Sequence, residues 1–297
     1  MRILVTGGAG FLGSHLVDAL AKGKSNKIAI FDNLHRGRLE NINQHRNNKN
    51  ITFVEGDIRN PIDLKKIGNI DFVYHLAAQS NVIGSVSTPG YAFSTNVVGT
   101  LNVLKFASEK KVKRFIFSSS REVYGNPEYL PVDESHPLNP INMYGITKLC
   151  GETLCNAFSK NKNLNLTILR IANSYGSRDR DRAIPVFLEN AKKNKDLTLF
   201  GGKQVLDFIC IEDVINAMIK ISNEDKFIGE IINIGTGTGT SIQDLAKSII
   251  KLTHSKSKII RKESRHFDVE KFVAKSNKIR LTTTRLIDGL KKTIEYY

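Results

Sequence analysis

Tyr144 and Lys148 stand four residues apart in Tyr144-Gly145-Ile146-Thr147-Lys148. Residues at that spacing share one face of a helix, so an ammonium can lie near a phenol. A free tyrosine ionises near pH ~10 and is a poor base at neutrality. A neighbouring cation favours the phenolate, and lowering a pKa by one corresponds to roughly 1.4 kcal/mol. Such a pair can take a proton from a hydroxyl that is becoming a carbonyl. Alone the spacing says little, because Tyr-x-x-x-Lys also recurs on solvated helix faces.

The N-terminus supplies a partner for that chemistry. A strand-like run at 3–5 enters Thr6-Gly7-Gly8-Ala9-Gly10-Phe11-Leu12-Gly13-Ser14, and helix-forming Leu16-Val17-Asp18-Ala19-Leu20 follows. Gly7, Gly10 and Gly13 let the chain turn tightly and let its backbone approach a pyrophosphate, which the helix N-terminus stabilises. The strand–turn–helix context turns a weak motif into a strong one. About 20 residues on, Phe31-Asp32-Asn33 ends the next strand-like run. A carboxylate there binds a ribose 2′-hydroxyl and repels a 2′-phosphate, so Asp32 argues for NAD over NADP despite Arg36 and Arg38 nearby. Asp57, after the third run, could accept from the adenine amino group, and it reads equally well as a turn residue.

Apolar strand-like runs at 3–6, 27–32, 51–55, 72–76, 114–118 and 166–170 alternate with helical stretches at 10–22, 60–68, 91–110 and 144–159. Continuous apolar runs separated by helices predict a parallel sheet covered on both faces. The fold class is therefore α/β, a doubly wound parallel sheet over 1–172 with a smaller α/β substrate lobe over 173–297, some of whose segments return to the sheet. In that second part the pattern predicts helices at 184–195, 212–222 and 241–253 and strands at 197–200, 208–211 and 230–234. The Asn- and Lys-rich stretch 41–50 reads as a surface turn or linker.

A chain of 297 residues with 40% apolar content is long enough for a large core. No uninterrupted apolar run of ~18 residues suits a membrane span, and the immediate first strand leaves no room for a signal peptide. Cys150, Cys155 and Cys210 are odd in number and lack zinc-type spacing, so they read as reduced thiols in a cytoplasmic protein. The seven His are scattered, His75 reads as a strand residue, and no metal site is expected. The net charge of +15 raises a nucleic-acid reading. Lys and Arg are spread in short groups along helices, however, which favours solvated faces and a surface attractive to anionic nucleotides.

Taken in order, several markers resemble the extended short-chain dehydrogenase/reductase family, in its nucleotide-sugar epimerase and dehydratase branch. They are the glycine loop, His75-Leu76-Ala77-Ala78-Gln79, Asn96-Val97-Val98-Gly99-Thr100, Ser118-Ser119-Ser120, Tyr144-Gly145-x-x-Lys148, Asn173-x-Tyr175-Gly176 and Asn233-Ile234-Gly235. The resemblance covers nearly the whole chain. It implies a Rossmann sheet, resident NAD and catalysis by Ser120, Tyr144 and Lys148. Ser120 would bond the reacting sugar hydroxyl, Tyr144 would take its proton, and Lys148 would hold the cofactor ribose.

Phe11, Leu12, Asn33, Ile58, Leu76, Ala77, Ala78, Gln79 and Ser118 would line the cofactor cleft on the same grounds, with Asn96 supporting the nearby helix. Asn173, Arg178, Val186, Phe200 and Arg265 would meet a nucleoside diphosphate, and Tyr124 reads as packing. The expected activity is a nucleotide-sugar 4-epimerase of the UDP-glucose/UDP-galactose type, acting as a homodimer. A decarboxylase or 4,6-dehydratase is the alternative, and a basic RNA-associated module is the reading from another class. Dehydratases of the family use an adjacent Asp-Glu pair, whereas this chain has Arg121-Glu122. Arginine cannot donate a proton as Asp does, while Glu122 fits the pattern as a substrate-binding residue, leaving decarboxylation open, or else reads as a structural Glu. Two departures bear on the substrate. Leu206 stands where many relatives carry a phosphate-binding Arg, leaving Lys203, Arg180, Arg182 or Arg265 to compensate, and the stretch 278–290 is shortened.

Overall fold

Strand β1 (Arg2–Thr6) lies at the centre of the molecule, paired with one strand on each side. The computed structural model describes residues 1–297. After β1 come α1 (Phe11–Ala21), β2 (Lys27–Asp32), β3 (Ile51–Glu55), α2 (Pro61–Leu64) and β4 (Phe72–His75). Next are α3 (Val82–Ser87), α4 (Pro89–Phe93), α5 (Thr100–Glu109), β5 (Arg114–Ser120), α6 (Met143–Lys162) and β6 (Leu166–Ile171). The remainder is β7 (Asn173–Tyr175), α7 (Ala183–Lys192), β8 (Leu197–Phe200), β9 (Val205–Cys210), α8 (Ile211–Asn223) and β10 (Ile231–Ile234). It ends with β11 (Gly239–Ser241), α9 (Ile242–Leu252), β12 (Ile259–Lys262), β13 (Lys271–Phe272) and α10 (Leu286–Tyr296).

Seven parallel strands form the large sheet in the order β10-β6-β5-β4-β1-β2-β3. The winding direction reverses between β1 and β4, which opens a crevice beyond the carboxyl ends of those strands. Alternating residues of β1 explain the two covered faces. Ile3 and Val5 pack with Leu16, Ile30 and Met218 on one side. Leu4 packs with Val73, Val103 and Phe115 on the other. Each fully buried aliphatic or aromatic side chain contributes about 1.5–3 kcal/mol by leaving water.

Strands β9, β11, β13 and β7 form a second sheet, and β8 pairs with β12 in a third. Strand β10 comes from the later part of the chain yet extends the large sheet at β6. A buried polar cluster joins the elements around it. The Arg170 guanidinium binds the Glu152 carboxylate of α6 at 2.7 Å and the Tyr124 hydroxyl at 3.0 Å, and Tyr124 donates to Asn233 of β10 at 2.7 Å. Tyr124 is fully buried, so its role is structural. No helix is long and apolar enough to cross a membrane.

Two predicted helices and one predicted turn changed shape. The stretch 60–68 forms only the short α2. The stretch 91–110 divides into α4, a π-helical turn at Ser94–Gly99 and α5. The interruption coincides with Asn96, whose side chain bonds a neighbouring loop rather than facing solvent. The stretch 41–50 is no simple linker, since Leu39–His45 makes a 3-10 helix.

Candidate active site

The glycine loop is built at backbone contact. Gly7 takes φ +70°, and its N–H donates to Phe31 O at 2.8 Å. A Cβ on Gly13 would lie 2.1 Å from Gly7 O, so no larger residue fits where α1 crosses the loop. Gly10 caps α1 without a side-chain acceptor, which leaves first-turn N–H groups directed at the crevice. Asp32 braces the loop while lining the cleft: its carboxylate accepts from Ala9 N at 3.0 Å and Leu34 N at 2.9 Å. Burial pushes its pKa up, and those two N–H groups oppose the shift. The Asn41 amide also holds Ala9 O, at 2.8 Å. Sequence reasoning missed Asn41, because an Asn inside an Asn-rich stretch carries no periodic signal. A glycine cradle with an acid at its far end fits a dinucleotide with a free ribose hydroxyl.

Asp57 is placed differently from the expectation. Ile58 lines the cleft but Asp57 does not, and its oxygens are engaged by Arg59 at 2.6 Å and Asn33 at 3.0 Å. Burial works to raise the Asp57 carboxyl, yet the bonds from Arg59 and Asn33 outweigh it and hold the pKa at about 2.

Ser120, Tyr144 and Lys148 converge on the cleft from the end of β5 and the first turns of α6. Asn142 caps α6, its side-chain oxygen accepting from Gly145 N at 2.9 Å. Gly145 must be glycine, since a Cβ there would lie 2.4 Å from Glu122 O. Close packing of α6 on the turn after Ser120 therefore sets the phenol beside the serine. Lys148 is buried and donates to Ser118 O at 2.6 Å. An ammonium has three donors, so two are left for a ligand in the cleft. Burial lowers the Lys148 pKa to about 8, against the pull of Cys155 and Glu152.

The tuning of Tyr144 differs from the sequence expectation. Burial raises its pKa to about 12; Ser120 opposes the rise, Glu122 adds to it, and Arg182 and Arg121 oppose it. The Lys148 ammonium donates to Ser118 O and lies 5.9 Å from the Tyr144 ring centre. One helical turn brings the two side chains to one face, but the hydrogen bond of Lys148 goes to Ser118 O and not to the phenol.

Asn96 and Gln79 support the site without lining it. The Asn96 amide oxygen accepts from Gln79 N at 2.7 Å, while its nitrogen donates to Gln79 O at 3.2 Å and Thr147 Oγ1 at 2.9 Å. One side chain thus ties the turn after β4, where Leu76, Ala77 and Ala78 face the cleft, to the helix bearing Tyr144. His75 is buried between Thr6 at 2.7 Å and Thr100 at 3.0 Å, and burial with the nearby Lys148 lowers its pKa to about 3.

Across the cleft, of about 550 Å³, stand Asn173, Arg178, Val186, Phe200 and Arg265. Arg265 lies 3.7 Å over the Phe200 ring, and Arg178 pairs with Asp18 of α1 at 2.8 Å. Leu206 lines the same wall, and Arg180, Arg182 and Arg265 are present there while Lys203 is not. Arg182 also binds Asp179 at 2.7 Å and covers the Phe11 ring at 4.9 Å. Asp268, unforeseen in the sequence, joins the wall with a pKa raised by burial.

Comparison with known proteins agrees with this geometry. The chain is 39% identical over 249 residues to a candidate UDP-glucose 4-epimerase of Methanocaldococcus jannaschii, covering 82% of this chain and 79% of that one. A structure of UDP-glucose 4-epimerase from Thermotoga maritima with UDP-glucose superposes with a TM-score of 0.94 at 34% identity, covering 100% of this chain and 98% of the other. A UDP-glucuronic acid 4-epimerase from Bacillus cereus, solved with UDP-glucuronic acid and NAD, superposes with a TM-score of 0.94 at 32% identity over 100% and 98% of the two chains. Decarboxylases and dehydratases of nucleotide sugars are also relatives. A family model matches residues 3–235, and the chain belongs to the NAD dependent epimerase/dehydratase family.

Proposed function

We propose that the protein is a nucleotide-sugar 4-epimerase with a UDP-hexose as its substrate. The observation that carries this reading is the convergence of Ser120, Tyr144 and Lys148 on the cleft that the glycine loop also lines. NAD, when bound, supplies the acceptor and later the donor of a hydride. Ser120 orients the sugar 4-hydroxyl, and Tyr144 takes its proton as the ring carbon is oxidised. Proton transfer to a positioned base typically contributes ~10²–10⁴-fold. Lys148 holds the ribose side of the cofactor cleft and adds positive charge there. The 4-keto sugar then turns over and is reduced on its other face, with Tyr144 returning the proton.

Epimerisation needs no further acid or base, and the state of Glu122 favours it. Both carboxylate oxygens are engaged, one by Arg121 at 2.8 Å and the other by Asn142 at 2.8 Å. Decarboxylation is the second reading, since a buried Glu beside Ser120 is present. The Arg265–Phe200 stack and the arginines at 178–182 support a nucleoside diphosphate, because a guanidinium fork suits paired phosphate oxygens. Three free thiols support a reducing, cytoplasmic setting. Exposed apolar side chains at Ile83, Val86, Phe93, Val98 and Ile146, on α3, α4, the π turn and α6, support a homodimer formed through these helices. Scattered basic groups argue for a nucleotide ligand over nucleic acid.

The test is incubation of the NAD-loaded protein with UDP-, dTDP-, GDP- and CDP-hexoses. Conserved product mass with inverted C4 is the expected outcome. Loss of carbon dioxide or water would replace the epimerase reading with its relatives, and no turnover of any nucleotide sugar would remove it.

A further inference from the structure

We propose that Arg121 is a positioning residue for the Tyr144 proton transfer: it cancels the charge of Glu122 and, through Glu122 and Asn142, fixes the first turn of α6. The inference rests on the reading of Tyr144 as proton acceptor.

The contacts run without a gap from Arg121 to the backbone beside the phenol. Arg121 Nη2 meets Glu122 Oε1 at 2.8 Å. Glu122 Oε2 accepts from Asn142 Nδ2 at 2.8 Å, and Asn142 Oδ1 accepts from Gly145 N at 2.9 Å. Asn142 Nδ2 also donates to Phe267 O at 3.2 Å, which ties in the far wall of the cleft. All three side chains are at least nine-tenths buried, so water does little to screen the charges. Glu122 is the acceptor that orients the helix cap, yet its charge opposes formation of a phenolate nearby. A cation paired with it removes that opposition while leaving the cap intact. Arg121 Nη1 is buried with no hydrogen-bond partner, so the pair with Glu122 is what secures the guanidinium in the wall.

Arg182 also opposes the rise in the Tyr144 pKa, but Arg121 is the cation paired directly with Glu122. Ser120 is neutral, the Lys148 ammonium is held by Ser118 O, and Arg182 is paired with Asp179. Glu122 is a carboxylate whose charge opposes ionisation of Tyr144. The phenol therefore responds to the balance between neighbours in sequence, Arg121 and Glu122.

The test measures kcat/KM against pH on NAD-loaded Arg121→Met, Glu122→Gln, the double variant and Arg121→Lys, with bound NAD read by absorbance to confirm an intact cleft. Arg121→Met leaves a bare carboxylate, so its ascending limb moves up by about 1 on the pH scale. Activity on the acid side of the limb then falls about tenfold. Glu122→Gln keeps an acceptor for Asn142 and moves the limb the other way. The double variant and Arg121→Lys return it close to the wild-type position. If Arg121→Met does not retain NAD, the opposite shift of Glu122→Gln and the recovery in the double variant decide the matter. Unshifted limbs in the single variants, or a double variant that recovers nothing, overturn the inference. A fully active Tyr144→Phe enzyme would instead overturn the proton-acceptor reading beneath it.

Discussion

Tyr144 sits in the wall of the cleft with a pKa pushed up to about 12, chiefly by burial. A phenol so placed is protonated at neutrality, with Glu122 adding to the rise and Ser120, Arg182 and Arg121 opposing it. Tyr144→Phe removes the acceptor without changing ring volume. We expect kcat to fall about 10²–10⁴-fold while NAD stays bound, checked by turnover and by cofactor absorbance in the same preparation. His75 offers a separate test, of stability. Its folded pKa of about 3 lies below the unfolded value of about 6.5. A lowered histidine binds its proton more weakly in the native state, so stability is full above the unfolded value and falls as pH drops toward 3. The slope for one group is at most about 1.4 kcal/mol for each step of one in pH. Urea unfolding at pH 7 and pH 5 should differ by about 2 kcal/mol from this source. His75→Gln should lack that component, and an identical acid slope in the variant would assign it elsewhere.

At the scale of elements, the glycine loop and α1 act as one piece. Gly13 approaches Gly7 O so closely that an added methyl would need the helix to move by more than an ångström. Gly13→Ala should therefore lower NAD affinity at least tenfold, measurable by calorimetric titration of the apo protein, with a smaller effect on nucleoside diphosphate binding at the opposite wall. Equal losses at both walls would mean general unfolding instead of a damaged cradle. The π turn at Ser94–Gly99 works in a similar way. A regular helix through 91–110 would present Asn96 at a different angle and break its bonds to Gln79 and Thr147. Such interruptions recur at functional sites because they re-aim one side chain.

Across the whole molecule, the cleft is walled by the carboxyl ends of the large sheet on one side and by later segments such as Phe200 and Arg265 on the other. Strand β10 lies beside β6, and the Arg170–Glu152 pair joins β6 to α6 beneath the site. Breaking a buried pair of this kind leaves an unpaired charge and typically costs about 3–5 kcal/mol. The apolar side chains of Phe93 and Ile146 remain exposed on the outer face of α4 and α6. If that face joins two copies, Phe93→Asp with Ile146→Asp should convert the protein to a monomer in sedimentation analysis, with the unfolding free energy of the subunit little changed. An unaltered sedimentation coefficient would move the interface elsewhere.

Local chemistry was legible in the order of residues. Alternating apolar runs led to the parallel α/β sheet, glycines at 7, 10 and 13 with an acid at 32 to a dinucleotide, and Tyr144 four residues before Lys148, with the family resemblance, to a proton acceptor. Those features are legible because strand period, helix period and turn chemistry act over a few neighbours. The partners that set charge and position were not legible. Lys148 turned from the phenol to Ser118 O, Asp57 was taken by Arg59 and Asn33, and Asn41 came to brace Ala9. Each depends on which distant backbone or side chain arrives within about 3 Å, where hydrogen bonds form. Only the folded sheet, with α6 packed on the turn after β5, decides that.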